Sequence, residues 1–393
     1  MRIAIVSEYY YPQLGGVTEH VHGQGNELVR RGHEVTLVTP KVVVTPKAVD
    51  GGEPPSERLF ELVRIARGCP FYMNGSETRL SLSPLLVRQL DRLYAKRRFD
   101  VVHVHSPWGV ALPMVAVVRS IAPVTVGTIH SVVPEGHKLL RCFRPLVQAV
   151  FSQLDERIAV SEAVVDSIHS SFPGLSFEVI PNGIDTGFFS AQAAPLPQLL
   201  GGKRNILFIG RFDPRNGLKH MLRAFVLLRE RRQDVRLVVV GDGPLGRLLM
   251  RIVPAGLRDD VLFEGRINHL RPRYLASVDI LCSPCQLASF GMVLLEAMSA
   301  GVPVVASSIS GFRLLIQDGV QGLLVDDATD ESQLADALDR LLSDPERARR
   351  MGAAGRERAV QSYAWPVVVD QLEDLYERLG APNSKRSLRA AAR

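Results

Sequence analysis

A loop that contains Gly291 and runs into a helix pattern is the stretch of this sequence best suited to bind a ligand. Backbone N–H groups at a helix start lack partners and carry the positive end of the helix dipole, so they suit a phosphate-bearing ligand. Glu296 is expected about two turns into the helix. A carboxylate buried there among leucines needs a partner, which paired hydroxyls on a sugar ring would supply. The alternative is an ordinary strand–helix–strand unit with one buried glutamate.

Two further loops follow predicted strands and could approach phosphate groups. Gly15 and Gly16 come between the first strand and a helix, and adjacent glycines let a phosphate reach the backbone. A plain strand-to-helix turn explains them equally well. Arg211 ends a later strand, with Arg215 and Lys219 close behind. A guanidinium at a strand end matches phosphate oxygens, and a solvated arginine is the alternative.

Three histidines stand on predicted strands. His103 and His105 alternate on one strand and therefore share a face, whereas His130 ends another strand. Buried histidines with ordinary hydrogen bonds explain the first two, and His130 is expected to open onto a crevice. The chain shows no H-x-x-x-H pattern, no paired-carboxylate zinc arrangement and no strand-end D-x-D. The sequence therefore predicts no metal site.

Composition indicates a globular protein of two domains. The 393 residues are 46% hydrophobic and 22% charged, and the net charge of +6 favours anionic ligands or an anionic membrane surface. The N-terminal apolar run is too short for a signal peptide, and the longest apolar stretch falls short of the ~20 residues that span a bilayer. We therefore expect a cytoplasmic location. Cys282 and Cys285 form a C-x-x-C, but no second pair stands at a spacing suited to zinc.

Strand and helix patterns alternate along the chain, which predicts α/β architecture with parallel sheets. The segment 190–202 is rich in Ala, Pro, Gln and Gly and resembles a linker. Two doubly wound Rossmann-like domains facing across a cleft follow, with the ligand in the crevice at the carboxyl ends of the strands. Predicted strands are 2–7, 35–39, 101–105, 124–128, 157–160 and 178–180, then 205–210, 236–241, 261–264, 280–283, 302–307 and 322–325.

Two other patterns admit more than one interpretation. The loop 241–246 fits G-x-G-x-x-G, which is weak evidence for a nicotinamide site and more typical here of a structural turn. The stretch 85–98 combines arginines with leucines, and 137–150 is a second basic, apolar segment. Such a helix either packs on the sheet or lies on a membrane surface.

Taken together, these residues resemble the retaining family-4 glycosyltransferases of the two-Rossmann-domain (GT-B) type, closest to the bacterial phosphatidylinositol alpha-mannosyltransferase-like group. The resemblance covers nearly the whole chain. The residues that carry it are Gly15-Gly16, 100–105, 127–130, 160–161, 180–185, 210–212, 241–243, 290–296 and the closing segment 363–365.

The resemblance implies a domain plan. Residues 1–188 would form the N-terminal acceptor domain, 189–203 a linker and 204–362 the domain that binds the nucleotide sugar. Residues 363–380 would form a helix that crosses back to the first domain, and 381–393 a basic tail. The implied partners are a nucleotide-sugar donor and a lipid or glycan acceptor, with no nucleic acid. The basic, apolar segments 85–98 and 137–150 add peripheral contact with an anionic membrane, at its inner face, as a further expectation.

The resemblance also assigns roles to residues. Glu296 would hold the ribose hydroxyls, Arg211 would neutralise the phosphates, and His130 would lie near the donor sugar and acceptor. These three are the candidate catalytic residues. The remaining donor-binding candidates are Gly15, Gly16, Arg215, Lys219, Gly265, Arg266, Ile267, Ser289, Phe290, Gly291 and Met292.

Two positions depart from the family pattern. A glutamate usually stands eight positions before the one that matches Glu296, and this chain has Ala288 there. A lysine usually stands shortly after the phosphate arginine, at the position of Asn216. Arg215 or Lys219 could supply the missing charge.

The activity implied is retaining transfer of a hexose of the mannose or glucose type to an acceptor hydroxyl, without cofactor or metal ion. The paired carboxylates of hydrolytic glycosidases are not evident. Charge on the departing phosphate would instead be stabilised by an arginine and helix-start amides. Three alternatives stay open: a nicotinamide oxidoreductase built on loop 241–246, a non-catalytic binding protein, and a sugar-nucleotide epimerase.

Overall fold

The computed structural model describes residues 1–41, 54, 56–67, 69–73, 76–80, 83–108, 111–132, 143–267 and 269–381. The chain divides into two compact units. Unit 1 comprises Met1–Gly183 and Trp365–Arg393, and unit 2 comprises Ile184–Ala364. The expected basic tail, 381–393, lies outside the described residues except for its first position.

Unit 1 is built on a seven-stranded parallel sheet with the order β3-β2-β1-β6-β7-β8-β9. Its strands are rich in valine and isoleucine, and helices cover the sheet, as in other parallel sheets. β4 and β5 form a separate antiparallel hairpin. The strands are β1 (Arg2–Val6), β2 (Glu34–Lys41), β3 (Glu61–Arg67), β4 (Cys69–Met73), β5 (Ser76–Leu80), β6 (Val101–His105), β7 (Val124–Ile129), β8 (Glu156–Ala159) and β9 (Glu178–Val179). The helices are α1 (Gly16–Arg30), α2 (Leu86–Arg97), α3 (Leu112–Arg119), α4 (Arg144–Phe151) and α5 (Glu162–His169).

Unit 2 is built on a six-stranded parallel sheet with the order β12-β11-β10-β13-β14-β15. Its strands are β10 (Arg204–Ile209), β11 (Val235–Val240), β12 (Val261–Gly265), β13 (Ile280–Ser283), β14 (Val304–Ser307) and β15 (Gly322–Val325). The helices are α6 (Leu218–Arg231), α7 (Gly246–Met250), α8 (Arg271–Leu275), α9 (Met292–Ser299), α10 (Ser310–Arg313), α11 (Glu331–Ser343) and α12 (Pro345–Tyr363), with short 3-10 helices at Pro197–Leu199, Pro214–Asn216 and Ala255–Asp260. The strand order reverses between β10 and β13, as in a doubly wound sheet.

The segment expected to be a linker, residues 189–203, is instead packed as part of unit 2. Leu196 and Leu199 are buried, and the N–H of Leu196 donates to Ser277 Oγ at 2.7 Å. The Asn205 side-chain amide donates to the Leu199 carbonyl at 2.6 Å. The chain therefore leaves unit 1 before this segment, after Gly183, because Leu196 and Leu199 are buried and their backbone is hydrogen-bonded to residues of unit 2.

The C-terminal helix, α13 (Trp365–Gly380), returns the chain to unit 1, as predicted. It packs along α1, and the guanidinium of Arg31, directly after that helix, donates to Asp370 at 2.6 Å and to Glu373 at 2.5 Å. Trp365 begins the helix and is 7% exposed. This docking makes α13 part of the core of unit 1.

Gly23 sets how closely α13 approaches α1. A Cβ at this position would overlap the indole of Trp365, and one at Gly183 would lie 2.5 Å from the same ring. We expect Gly23→Ala to destabilise unit 1 by about 1–3 kcal/mol through overpacking, despite the better helix propensity of alanine. Both tryptophans, Trp108 and Trp365, lie in unit 1, so urea unfolding followed by tryptophan fluorescence reports on this unit.

Gly15→Ala is the control for this prediction, because a Cβ at Gly15 meets nothing within 4 Å and its φ of 163° is extended backbone that any residue adopts. An unchanged urea midpoint for Gly23→Ala would show that α13 does not depend on this close approach.

Candidate active site

The predicted ligand-binding loops of unit 2 all follow the carboxyl ends of its strands. Arg211 follows β10, Gly265 ends β12, and the loop to α9 follows β13. Because β10 and β13 are neighbours, their loops meet: the N–H of Gln286 donates to the carbonyl of Arg215 at 2.7 Å. The point where strand order reverses is the usual ligand position in such sheets.

The N-terminus of α9 has the geometry that the sequence predicts for phosphate binding. Gly291 caps the helix with φ at 100°, in the left-handed region, and a Cβ there would lie 2.8 Å from the Phe312 ring. Glycine is therefore required at this turn. The first amides of a helix have no intrahelical acceptor, so the N–H groups that begin at Met292 are suited to an anion.

Glu296 lies about one turn into α9, not two, because the helix begins only at Met292. Its side chain is 1% exposed, and the Arg271 guanidinium donates to its Oε1 at 2.6 Å. Arg271, on α8, also lies 5.3 Å from the centre of the Phe189 ring. The buried carboxylate thus has a charged partner that sequence reasoning missed.

The basic residues after β10 differ in whether a neighbouring carboxylate pairs with their charge. One edge of the Arg215 guanidinium contacts both carboxylate oxygens of Asp213, with Nε–Oδ1 at 3.1 Å and Nη2–Oδ2 at 3.0 Å, and this contact lowers the pKa of the Asp213 carboxyl. Arg211 is exposed and forms no ion pair with any described residue. Lys219 is exposed in the first turn of α6. Arg211 and Lys219 therefore keep their charge available to a ligand.

Asn216 supports the backbone of Arg211. Its side-chain amide donates to the Arg211 carbonyl at 2.8 Å, and the Cys285 thiol lies 3.7 Å from its Oδ1. An asparagine here therefore fixes the loop but brings no positive charge.

The loop 241–246 has a packing role. A Cβ on Gly241 would overlap the carbonyl oxygen of Gly210, and one on Gly243 would lie 2.8 Å from Phe212 Cβ. The N–H of Phe212 donates to the Asp242 carbonyl at 2.8 Å. These glycines therefore let two loops of unit 2 touch, which favours the structural interpretation over a nicotinamide site.

Arg266, expected to face the base, is 63% exposed and donates from Nε to Asp242 Oδ1 at 2.6 Å. Gly265 before it has φ at 70°, in the left-handed region, and Ile267 follows. The three residues thus lie at the carboxyl edge of the outermost strand of the sheet, beside the loop after β11.

The C-x-x-C pair carries no sign of redox chemistry. Cys282 and Cys285 are free and buried, and burial raises the pKa of both thiols. A thiol with a raised pKa is a poor nucleophile at neutral pH.

In unit 1, His130 belongs to a cluster of three buried histidines. Its Nε2 lies 2.8 Å from Nδ1 of His105, and His20 packs edge-on against both rings. His130 is 7% exposed, and burial lowers its pKa to about 4. Sequence reasoning placed His103 and His105 on one face, where they stack, but missed His20 on α1. The available signal was that α1 follows β1, the neighbour of β6.

Comparison with known proteins decides the family. The sequence model of the protein family described as "Glycosyltransferase Family 4" matches residues 14–188, and that of the family "Glycosyl transferases group 1" matches residues 197–358. A phosphatidyl-myo-inositol mannosyltransferase of Mycobacterium leprae is 34% identical over 98% of this chain and 99% of its own. A GDP-mannose-dependent alpha-mannosyltransferase of Mycolicibacterium smegmatis is 32% identical over the full length of both.

The chain belongs to glycosyltransferase family 4. Its fold agrees: sucrose-phosphate synthase from Thermosynechococcus elongatus superposes with a TM-score of 0.74 at 23% identity, over 96% of this chain and 98% of that one. The predicted resemblance and the GT-B fold class of this family-4 glycosyltransferase are therefore confirmed. In unit 2 the structure brings together the loops that carry Arg211, Arg215 and Met292, with Glu296 one turn behind.

Proposed function

We propose that this family-4 glycosyltransferase transfers mannose, with retention, from a nucleotide-diphosphate donor to a hydroxyl of a lipid or glycan. The observation that carries the proposal is Glu296, a buried carboxylate one turn behind a helix start suited to phosphate. A nucleoside diphosphate offers both groups, ribose hydroxyls for the carboxylate and phosphates for the helix start. The names of the relatives, which include GDP-mannose-dependent enzymes and phosphatidyl-myo-inositol mannosyltransferases, support GDP-mannose as the donor and a phosphatidylinositol lipid as the acceptor.

In the proposed reaction the bond from the sugar to the diphosphate breaks and the acceptor oxygen bonds to the same face of the anomeric carbon. The departing phosphate oxygen takes the proton of the acceptor hydroxyl. Arg211 and the amides at the start of α9 stabilise the negative charge that builds on the phosphate. His130, in unit 1, is proposed to contact the sugar or the acceptor as a neutral imidazole.

The proposed reaction needs no metal ion at the donor. Among the residues that the structure describes, the cluster with the geometry of a metal site lies in unit 1 and contains no carboxylate. Arginine and helix-start amides supply the positive charge instead. Transfer is accordingly expected to persist in a chelator such as EDTA.

The test incubates the enzyme with GDP-mannose and phosphatidylinositol in mixed micelles containing EDTA. We expect a mannosylated lipid whose linkage has the α configuration of the donor, as read by NMR. UDP-glucose and ADP-glucose serve as competing donors. A product of inverted configuration would refute retention, and a strict metal requirement would refute the proposed charge stabilisation.

A non-catalytic sugar-nucleotide-binding protein is the second candidate, because Ala288 and Asn216 replace a carboxylate and a cation usual in the family. Such a protein would bind GDP-mannose, which raises its melting temperature, yet release neither mannose nor GDP. Single-turnover assays with enzyme in excess over donor separate the two candidates, because they detect even slow transfer.

We also propose that unit 1 contacts an anionic membrane peripherally. Arg88, Arg92 and Lys96 are exposed on α2, and Phe143 and Leu146 are 50% and 47% exposed at α4. α3 packs against both helices. Basic residues beside exposed apolar ones suit an anionic lipid surface. The second basic segment, 137–150, lies partly outside the described residues, and no helix within the described ranges is long and apolar enough to cross a bilayer.

Phe143→Ser combined with Leu146→Ser is expected to weaken binding to phosphatidylglycerol vesicles by about tenfold or more, because two apolar side chains no longer enter the lipid. Vesicle sedimentation measures the effect. Leu248→Ser is the control, since Leu248 is 61% exposed but belongs to unit 2. If the double variant and Leu248→Ser lose vesicle binding to the same extent, or if the wild type does not bind vesicles, this surface does not contact the membrane.

A further inference from the structure

The histidine cluster of unit 1 has the size of a metal site. One ring nitrogen from each of His20, His105 and His130 lies within 4.8 Å of the others. The ring centres are 5.3 Å, 4.8 Å and 5.1 Å apart. Zinc binds histidine nitrogen at about 2.0–2.1 Å, which places tetrahedral ligand nitrogens about 3.4 Å apart. Small rotations of the three rings would bring their nitrogens to this separation.

Buried polar atoms around the cluster lack partners. His20 Nδ1, His105 Nε2 and Asn182 Oδ1 are all buried, and none of the described residues forms a well-aligned hydrogen bond with these atoms. The Asn182 side chain lies within hydrogen-bonding reach of His20 and His130, and this contact raises the pKa of both rings against the larger, lowering effect of burial. Buried polar atoms almost always have a partner, so several orphans in one place indicate a missing group.

The ligand types select the class of ion. Three imidazoles suit Zn²⁺, Cu²⁺, Ni²⁺ or Co²⁺, whereas Mg²⁺ and Ca²⁺ require oxygen ligands. Three histidines leave a fourth position for water or for the amide oxygen of Asn182. The neighbouring His103 is already engaged, because its nitrogens contact Tyr376 at 2.5 Å and Thr128 at 2.6 Å.

The three histidines lie on, or directly after, regular secondary structure. His105 ends β6, His130 follows the adjacent β7, and His20 lies in the first turns of α1. Side chains on packed strands and helices hold ligand geometry better than side chains on loops.

We infer that His20, His105 and His130 form a binding site for one divalent transition-metal ion of the zinc class. An ion bound there occupies a ring nitrogen of His130, so it competes with the contact that His130 makes in transfer. Zinc would then inhibit the enzyme. This inhibition rests on the proposed function, whereas the binding does not.

The test uses the full chain without an affinity tag, stripped of metal with a chelator, and titrated with ZnCl₂ by calorimetry. We expect one equivalent to bind the wild type and the binding to weaken at least tenfold in His20→Ala and His105→Ala. His169→Ala is the control, because His169 is exposed in the same unit, where it contacts the Leu175 carbonyl at 2.8 Å and the Phe177 ring, away from the cluster. If the wild type does not bind one equivalent of zinc, or if His105→Ala binds zinc as tightly as the wild type, the proposed metal site is wrong. Buried water would then be the partner of the unpaired polar atoms.

A spectroscopic measurement covers variants that fail to fold. Cu²⁺ added to the stripped wild type should give an electron paramagnetic resonance spectrum with coupling to imidazole nitrogens. A spectrum of copper bound only by oxygen would refute the site without any substitution. If zinc binds but mannosyl transfer is unaffected, the metal site stands and the proposed contact of His130 in transfer is wrong. If the enzyme is inactive even without zinc, the proposed function is wrong but the metal site is not affected.

Discussion

Glu296→Gln is expected to weaken GDP-mannose binding by about 10- to 100-fold. Hydrogen bonds to a charged group contribute about 1.5–3 kcal/mol, and an amide provides only one acceptor where the carboxylate provides two. The buried position keeps water from replacing the lost contact. Isothermal calorimetry with GDP-mannose measures the change.

The cause can be tested with a modified nucleotide. If Glu296 holds the ribose, the wild type should bind the 2′,3′-dideoxy nucleotide more weakly than the normal nucleotide, by a factor similar to the effect of Glu296→Gln. The Glu296→Gln variant should bind the two nucleotides with nearly equal affinity. Glu331→Gln is the matched control, since Glu331 is a helical glutamate of unit 2 that contacts His220 at 3.1 Å. Unchanged affinity in Glu296→Gln, with the melting temperature preserved, would remove the ribose role.

The sequence predicted the sheet strands that are continuous apolar runs. Val101–His105 and Ile280–Ser283 occur with the predicted bounds, because valine and isoleucine in a buried parallel strand leave little ambiguity. β3 was missed. Its sequence, Glu-Leu-Val-Arg-Ile-Ala-Arg, lies at the edge of the sheet and has a charged residue at every third position, which is neither a continuous apolar run nor the strict alternation typical of a strand. The hairpin of β4 and β5 was missed as well.

The loops of the candidate site could be predicted because parallel strands deliver their carboxyl ends to one edge. The contacts between side chains of the candidate site could not be predicted. Arg271 reaches Glu296 from another helix, and His20 reaches His105 from α1. Such contacts join residues far apart in the chain, and no local period or spacing reports them. The depth of Glu296 was overestimated for a local reason, since the left-handed turn at Gly291 delays the start of α9.

Arg211→Ala is expected to lower kcat by about 100- to 1,000-fold, the usual effect of removing one group that stabilises charge in a transition state. Arg211 is exposed and, unlike Arg215, is not held in a close ion pair by a described residue, although the Asp213 carboxylate lies near enough to feel its charge, so a bound diphosphate would meet it directly. A larger loss in kcat than in donor affinity is expected, because charge on the phosphate grows as the sugar departs.

Arg215 provides the comparison, because its charge is already opposed by Asp213. Arg215→Ala alone would leave the Asp213 carboxylate near the phosphates, so the informative control is Asp213→Asn with Arg215→Gln, which removes both charges together. A solvent-accessible ion pair contributes about 0–1 kcal/mol, so kcat of this double variant should stay within about fivefold of the wild type. Equal losses in Arg211→Ala and the double variant would mean that the loop acts through its shape, and the assignment of phosphate stabilisation to Arg211 would be wrong.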